Sequence, residues 1–396
     1  MKFIFIAISL SIILSGCSEK HYMTPPIKAG SLNVLFSLPL GADGNQALSV
    51  YGDTLYVPES AVGRLTAIDL KSMKVLWRVN LPDHLGICST TKLRGDVFLL
   101  DYHQKRLLWI SGDGVFKGTI TMPKEVGTLG GSTEFGASDT ALLLPGINGS
   151  LWRLNPETDL VPDPNDSGNF NACPSPLWVG KTLGSSVPYW EKGFVYWGYG
   201  EVLPDGSWSD RKHFLKIEEI SGKVIWDIPM NKIAILSRAY KYRGTLLGTG
   251  GGIQEISLDG KDIAQLGTHF CSIFGFLLDR DKLFASSINP PGNIFGMNVR
   301  SGKILWTQNY PYTAEASPQI NNGILYYPLP DGIRVYRESD GEFLGVDSNV
   351  HGALVEDGPT IRYKDLLIVR SELKLWIIRM DYNLSWFGNL VQKHRR

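Results

Sequence analysis

The stretch "SGKILWTQNYP" (residues 301–311) places an apolar run, Ile304 to Trp306, directly after a Ser-Gly-Lys turn. Near copies stand at 221–230, "SGKVIWDIPM", and at 72–82, "SMKVLWRVNLP". Gly favours tight turns, and β-branched and aromatic residues favour strands. One strand signature that recurs at distant points of a chain predicts a fold built from repeated units.

The repeat extends along most of the chain. Eight apolar strands each follow a small turn residue or Asp, which is Gly52, Gly95, Ser138, Gly193, Gly244, Asp281, Gly323 or Asp365. A second strand with alternating apolar residues follows each of them, as in "RLTAIDL" at 64–70 and "LWIIRM" at 375–380. The spacing is typical of four-stranded propeller blades. The sequence therefore predicts an all-β, eight-bladed β-propeller over residues 33–390.

The recurring tryptophans have a structural role in this prediction. Trp77, Trp226 and Trp306 are expected to lie between neighbouring blades, where an indole buries roughly 150 to 250 Å². Two segments compete for the strand that completes the last blade. "NVLFSLPLG" (33–41) carries Phe36 in the tryptophan position, and "NLSWFGNL" (383–390) is the alternative.

The N-terminus has the features of a secretory leader. A single basic residue, Lys2, precedes twelve apolar positions, too few to span a bilayer. The leader ends in Leu-Ser-Gly-Cys17, which resembles the bacterial lipobox. This resemblance implies that residues 1–16 are removed, that Cys17 is lipidated, and that 17–32 form a tether to the outer membrane, on its periplasmic side or at the cell surface. Residues 391–396 form a basic tail.

Charge and cysteine content exclude several classes of function. The 39 basic and 39 acidic residues balance, which argues against a nucleic-acid partner. Cys88, Cys173 and Cys271 lie far apart, so no disulfide framework is expected and their pairing stays open.

No metal site is expected either. His84 and His269 lie in loops that enter opposite blades, and His351 lies in a third such loop. A tetrahedral metal needs all its ligands within about 2.0 to 2.3 Å. The segment "DPNDSGNF" imitates the start of a calcium loop, but Pro174 stands where the loop needs a carboxylate.

Two insertions mark one sector of the ring. Residues 156–190 follow the second strand motif of blade three, and 198–213 expand the loop between the second and third strands of blade four. Both are expected on one face, where they would meet. Together they bring six Trp and Tyr residues to one sector: Trp178, Tyr189, Trp190, Trp197, Tyr199 and Trp208. Such side chains form protein-binding hot spots or sugar-stacking platforms, although Trp190 and Trp197 also fit the core between blades.

The repeat consensus resembles the PQQ-like repeat of quinoprotein-type propellers. That family contains dehydrogenases, which hold PQQ and Ca²⁺ in the channel, and non-catalytic scaffolds. The chain has no adjacent Cys-Cys pair and lacks the long insertions of the dehydrogenases. We therefore expect no catalytic residues, no cofactor and no enzymatic activity.

The leader and the repeat together resemble the lipoprotein scaffold subunit of the outer-membrane β-barrel assembly machine. This resemblance implies a monomeric subunit within a complex, with an envelope protein as partner, such as an outer-membrane β-barrel protein. Leu236 and Arg238 match a fragment of that family's partner-binding loop, but the acidic turn that follows it there is absent. Two alternatives stay open: a receptor for a glycan or small ligand, and a PQQ-dependent dehydrogenase.

Overall fold

The computed structural model describes most of the segment predicted to form the propeller. The described residues are 32–41, 47–82, 86, 88–101, 104–126, 135–146, 150–179, 182–185, 187–202, 208–231, 239–249, 253–261, 263–267, 276–286, 292–310, 317–329, 331–350, 360–371 and 373–380. Several predictions lie outside them: the leader, the tether up to residue 31, the segment 383–390, the basic tail, His84, His269, His351, Cys271, Leu236 and Arg238.

The strands form eight sheets, as the repeat predicts. The strands of the first four blades and of a hairpin inserted in blade three are β2 (Ser49–Tyr51), β3 (Thr54–Glu59), β4 (Arg64–Asp69) and β5 (Lys74–Asn80) in blade one; β6 (Cys88–Leu93), β7 (Asp96–Asp101), β8 (Arg106–Ile110) and β9 (Phe116–Thr121) in blade two; β10 (Gly136–Ala137), β11 (Leu142–Pro145), β12 (Leu151–Leu154), the hairpin strands β13 (Leu160–Pro162) and β14 (Asn169–Ala172), and β15 (Ser175–Trp178) in blade three; and β16 (Thr182–Ser185), β17 (Tyr189–Glu191), β18 (Phe194–Val202), β19 (Trp208–Glu218) and β20 (Val224–Asn231) in blade four.

The other four blades are regular four-stranded sheets. Their strands are β21 (Tyr240–Tyr242), β22 (Thr245–Thr249), β23 (Ile253–Ser257) and β24 (Ile263–Gly267) in blade five; β25 (Phe276–Asp279), β26 (Lys282–Ser286), β27 (Gly292–Asn298) and β28 (Ile304–Tyr310) in blade six; β29 (Gln319–Asn321), β30 (Ile324–Leu329), β31 (Gly332–Arg337) and β32 (Phe343–Asp347) in blade seven; and β33 (Ile361–Tyr363), β34 (Leu366–Arg370), β35 (Lys374–Arg379) and β1 (Asn33–Pro39) in blade eight. The only helices in the described ranges are 3₁₀ turns at Ser60–Val62 and Lys124–Val126.

The Gly that precedes the second strand in five of the blades belongs to a two-residue hairpin. In blade five, Arg243 and Gly244 have φ values of 46° and 89° and connect β21 to β22. Positive φ at both positions is the type I′ geometry, whose twist matches that of the flanking strands. This turn explains why the sequence repeat could be located from a single small residue.

The core consists of eight apolar clusters, one at each junction between consecutive blades. Leu65 and Val79 of blade one contact Leu99 and Leu108 of blade two in one of them. The cluster between blades eight and one completes the ring. Each fully buried aliphatic side chain contributes about 1.5 to 3 kcal/mol, so burial between blades holds the ring together.

Trp77, Trp226 and Trp306 lie at three of these junctions. The Trp306 indole N–H donates to the Glu338 carbonyl in the next blade, with N···O 2.9 Å, and Trp226 makes the same contact with Leu258 at 3.2 Å. Trp77 donates to Gly112 at 3.1 Å.

Each of these indoles also covers a glycine in the turn between the third and fourth strands of the next blade. These glycines are Gly114, Gly260 and Gly341, where an added Cβ would collide with the indole ring. The three tryptophans therefore bridge successive blades.

The first strand closes the ring. β1 pairs antiparallel with β35, from Asn33 opposite Arg379 to Pro39 opposite Lys374. Of the two candidate closing segments, 33–41 thus fills the position. At this junction Phe36 replaces Trp, and Met73 takes the place of the glycine, with a φ of 55°. The smaller Phe36 ring and the larger Met73 side chain together fill the space that a tryptophan and a glycine fill at the other three junctions.

Candidate functional site

The insertion in blade three divides into two parts. Residues 156–174 lie between β12 and β15, because β15 is the fourth strand of blade three. Within this part, β14 pairs in parallel with β9, from Asn169 opposite Thr119 to Asn171 opposite Thr121. The hairpin β13–β14 therefore extends blade two to six strands. β15 thus lies within the predicted insertion 156–190, where no sequence motif marked a strand.

The second part of the insertion does reach blade four. β16 pairs with the far end of β18, with Thr182 opposite Glu201, Leu183 opposite Gly200 and Ser185 opposite Tyr199. The expanded loop of blade four begins at this end of β18. The two insertions thus meet over residues 182–185 and 199–202, as the sequence predicts, while the hairpin lies apart from them.

Most of the predicted aromatic residues in this sector contribute to the core. Trp197 is 0% exposed and Tyr199 is 8% exposed, and both pack in the cluster between blades three and four. Tyr189 packs against Tyr196, with ring centroids 6.0 Å apart. Trp208 begins β19 opposite Val202. Burial thus leaves only part of the predicted aromatic face open to a partner.

The Trp190 indole donates a hydrogen bond to a buried carboxylate, Glu219, which the sequence pattern did not single out. Glu219, 3% exposed, accepts the Trp190 indole N–H at 2.6 Å. Its other oxygen accepts hydrogen bonds from Ser138 at 2.6 Å and from Arg153 at 3.2 Å, both in blade three. A buried charge needs such partners. Glu219 thus joins blades three and four, and its position beside a strand end gave no signal in the sequence.

An aromatic stack leads from this core to the solvent. Trp178 lies 5.4 Å from Tyr199, and Tyr199 stacks on His213 with ring centroids 4.9 Å apart and planes at 12°. Asp227 accepts from the Tyr199 hydroxyl at 3.3 Å and lies 2.7 Å from His213 Nδ1. The Asp227 side chain is 35% exposed and that of His213 15%. We call Trp178, Tyr199, His213 and Asp227 the blade-four stack.

Trp178 contributes an aromatic ring to this stack. Its indole nitrogen is buried and has no hydrogen-bond partner in the described part of the chain. An unpaired buried donor costs roughly 1 to 3 kcal/mol, and a nitrogen without accessible surface is out of reach of a partner's acceptor. The blade-four stack therefore offers aromatic side chains and a partly exposed carboxylate.

The two tyrosines near the stack, Tyr189 and Tyr196, have raised pKa values. Burial, reinforced by the charge of Glu191, raises the pKa of Tyr196 to about 12. The same two causes raise the pKa of Tyr189. Both phenols stay protonated at any physiological pH. These two tyrosines are thus suited to contact and hydrogen bonding rather than to acid–base chemistry.

Metal-ligating groups do not cluster in the described ranges. No group of three or more His, Cys, Asp or Glu residues there lies close enough together to hold a metal ion. In the calcium-like segment, Asp163 accepts the Asn165 backbone N–H at 2.9 Å, and Asp166 accepts the Asn169 side-chain amide at 2.6 Å. These carboxylates stabilise the turn of the hairpin. Cys173 follows it as an exposed free thiol.

Comparison with known proteins rests on the fold. No protein-family model and no curated protein matches the sequence. Within the described segments, no helix has the length and apolar character that a membrane crossing requires.

Three solved structures share the architecture. BamB from Moraxella catarrhalis has a TM-score of 0.63 and 13% identity, over 88% of this chain and 99% of that chain. Sqt1 from Saccharomyces cerevisiae has a TM-score of 0.62 and 11% identity, over 88% and 99%. A europium-containing methanol dehydrogenase has a TM-score of 0.60 and 10% identity, over 86% and 85%. At these identities the likeness shows a common fold, the eight-bladed propeller, which hosts more than one function.

Proposed function

We propose that this chain is a membrane-anchored, non-catalytic propeller scaffold of the bacterial envelope that binds a protein partner through the sector around the blade-four stack. The observation that carries the proposal is this stack. It combines stacked aromatic side chains with a partly exposed carboxylate. Anchors of this kind dominate protein interfaces because they bury large areas with little loss of rotamer freedom.

The envelope assignment rests on the leader and on the fold together. The Leu-Ser-Gly-Cys17 sequence supports lipidation, and BamB, a lipoprotein of the β-barrel assembly machine, has the same propeller architecture. We infer that the partner is an outer-membrane β-barrel protein. The aromatic residues Trp178, Tyr189, Trp190, Trp197, Tyr199 and Trp208, with Leu236 and Arg238, remain its proposed contact region, and the burial of Trp197 gives it a supporting role.

A pull-down from chemically cross-linked membranes tests this function. Wild-type protein should retain a defined set of envelope proteins. A Trp178→Ala, Asp227→Ala double variant should retain at least tenfold less of them, because it removes an aromatic ring of the stack and the partly exposed carboxylate. Asp340→Ala, an exposed turn position in blade seven, is the matched control and should retain them all. Equal capture by all three proteins would contradict the proposal.

The anchor is tested separately. Cys17→Ser should move the protein from the membrane fraction to the soluble fraction, because the acyl chains carry the attachment. Retention of Cys17→Ser in the membrane fraction after a salt wash would contradict lipid anchoring.

The two alternative functions have their own readouts. A glycan receptor should release its captured material when free saccharide is added to the pull-down. A quinoprotein dehydrogenase should reduce an electron-accepting dye after addition of PQQ and Ca²⁺. A scaffold should do neither.

A further inference from the structure

The hairpin β13–β14 forms one wall of a cleft at the rim of blade two. The cleft has a volume of about 710 Å³, within the range of roughly 300 to 1,000 Å³ typical of small-ligand sites. Its floor is β9, its second wall is formed by Pro82 and Arg106, and the turn 166–169 of the hairpin lies opposite. A regular four-stranded blade would lack this third side.

The wall is fixed in place by close contacts. The Thr119 backbone N–H donates to the Asn169 side-chain carbonyl at 3.1 Å, beside the parallel strand pairing. Gly118 has a φ of 151°, and an added Cβ there would collide with the Gly168 carbonyl. Phe170 packs against Trp109 with ring centroids 5.6 Å apart. The cleft is therefore preformed.

The charges that line the cleft are already compensated. Arg106 pairs with Asp101 at 3.1 Å and donates to the Pro82 carbonyl at 3.1 Å. Lys117 pairs with Asp96 at 2.7 Å. Asp166, on the hairpin side, adds a negative charge. A strongly anionic ligand such as phosphate would find no excess positive charge here, and the remaining carboxylate, Asp166, already accepts the Asn169 side-chain amide at 2.6 Å.

Neutral hydrogen-bonding groups fill the rest of the lining. Gln104, Thr121 and Ser167 are exposed to the cleft, and Phe116 contributes a partly buried aromatic ring. Hydroxyls and amides both donate and accept hydrogen bonds, as the hydroxyls of a sugar do, and an aromatic ring packs on its C–H surface. We propose that this cleft binds a neutral saccharide of one to three rings.

This site differs from the saccharide platform that the aromatic residues suggested. It lies on blade two and uses none of the residues of the blade-four stack. It is also independent of the scaffold function, so failure of one leaves the other standing.

Calorimetric titration of the purified full-length protein tests the proposal with two neutral probes, N,N′-diacetylchitobiose and maltotriose, and with inorganic phosphate. At least one saccharide should bind with a dissociation constant of about 1 mM or lower. Thr121→Trp, which fills the cleft from its floor, should weaken this binding at least tenfold. Ser175→Trp, at an exposed strand position of blade three, is the control and should leave it unchanged.

Two results would overturn the proposal. One is a folded wild-type protein that binds neither saccharide, or that binds phosphate more tightly than both. The other is saccharide binding that Thr121→Trp leaves unaltered. If Thr121→Trp does not fold, the backbone amide resonances of Gly118 and Gly168 in the wild-type protein decide. They should shift on addition of the bound saccharide, and unshifted resonances would place any binding elsewhere.

Discussion

At the scale of single residues, the indole of a tryptophan in one blade packs directly on a glycine of the next blade, where a Cβ atom would collide with it. Trp226 covers Gly260, and an added Cβ there would approach the indole Cγ to 2.8 Å. Gly260 also has a φ of 77°, so backbone strain and collision would act together. The sequence pattern predicted the junction tryptophans but not the glycines that their indoles contact. An Asp-Gly pair one repeat after Trp226, and again after Trp306, was the available signal.

The glycine contact predicts a difference between two alanine substitutions in blade five. Gly244→Ala places a Cβ in open space at a φ of 89°, which costs about 1 kcal/mol of unfolding free energy through backbone strain. Gly260→Ala should cost a further 1 to 3 kcal/mol, roughly, because the indole must move. Urea denaturation measures both. Equal losses of unfolding free energy in the two variants would show that the Trp226 indole tolerates a Cβ atom at position 260.

Two carboxylates at blade junctions make stability depend on pH. Asp53 pairs with Lys71 and accepts from the Tyr363 hydroxyl, and these two hydrogen bonds lower its pKa below 3.8. The Tyr242 hydroxyl, at 2.7 Å, and then the charges of nearby arginines lower the pKa of Asp281. Because both folded-state pKa values are lowered, their stabilising contribution is complete above pH 3.8. It disappears as the pH falls through the folded values.

An Asp53→Asn, Asp281→Asn double variant tests this linkage. At pH 6 the wild type should have the larger unfolding free energy. The two proteins should converge as the pH falls through the lowered folded-state pKa values of Asp53 and Asp281, because the wild-type carboxylates then become protonated. Urea denaturation across this range gives the comparison. A difference that stays constant down to the lowest pH would mean that the carboxylate charges contribute nothing.

At the scale of elements, spacing predicted the middle two strands of every blade but not every outer strand. The Ser-Gly-Lys turn marks the outer strand where a simple turn precedes it, as at 221–223 and 301–303. In blade three the hairpin replaces this turn, so β15 carries no such mark. Nothing in the sequence indicated that β14, within the predicted insertion 156–190, pairs with β9 of blade two.

The sequence predicted which aromatic residues lie in this sector, but not how far their side chains are exposed to solvent. Val195, Trp197 and Tyr199 alternate along one strand, so they share a face. That face packs against blade three. Composition alone could not show this, because aromatic residues serve cores and interfaces equally well. The partner of Trp190, Glu219, becomes visible only when blades three and four are brought together.

The hairpin should detach without unfolding blade two. Gly118→Ala places a Cβ against the Gly168 carbonyl, so the parallel pairing of β14 with β9 should open. In hydrogen exchange, the amides of 169–172 should lose protection while those of 96–101 keep it. Gly168→Ala, with a φ of 109° and no atom within 4 Å of the added Cβ, is the matched control and should keep protection in both. Loss of protection in both segments of Gly118→Ala would show that the hairpin is an integral part of blade two.

At the scale of the whole molecule, the N-terminal strand β1 closes the ring. β1 completes blade eight, and the Leu32 backbone N–H donates to buried Asp347 of blade seven at 3.1 Å. A lipid-bearing tether would therefore attach directly at the closing junction. The sequence left two candidates for this strand. The filled space around Phe36 and Met73, which depends on three-dimensional packing, distinguishes them.

We propose that the sector around the blade-four stack contacts an envelope protein. Photo-cross-linking in cells, from a photo-reactive residue at Trp178 or Trp208, tests it most directly, with mass spectrometry of the adducts. The exposed residue Val34, in blade eight across the ring, is the control position. We predict an adduct with an outer-membrane β-barrel protein at Trp178, Trp208 or both, and none at Val34. No adduct at either position, in a protein that is folded and lipidated, would contradict the scaffold function proposed for this face.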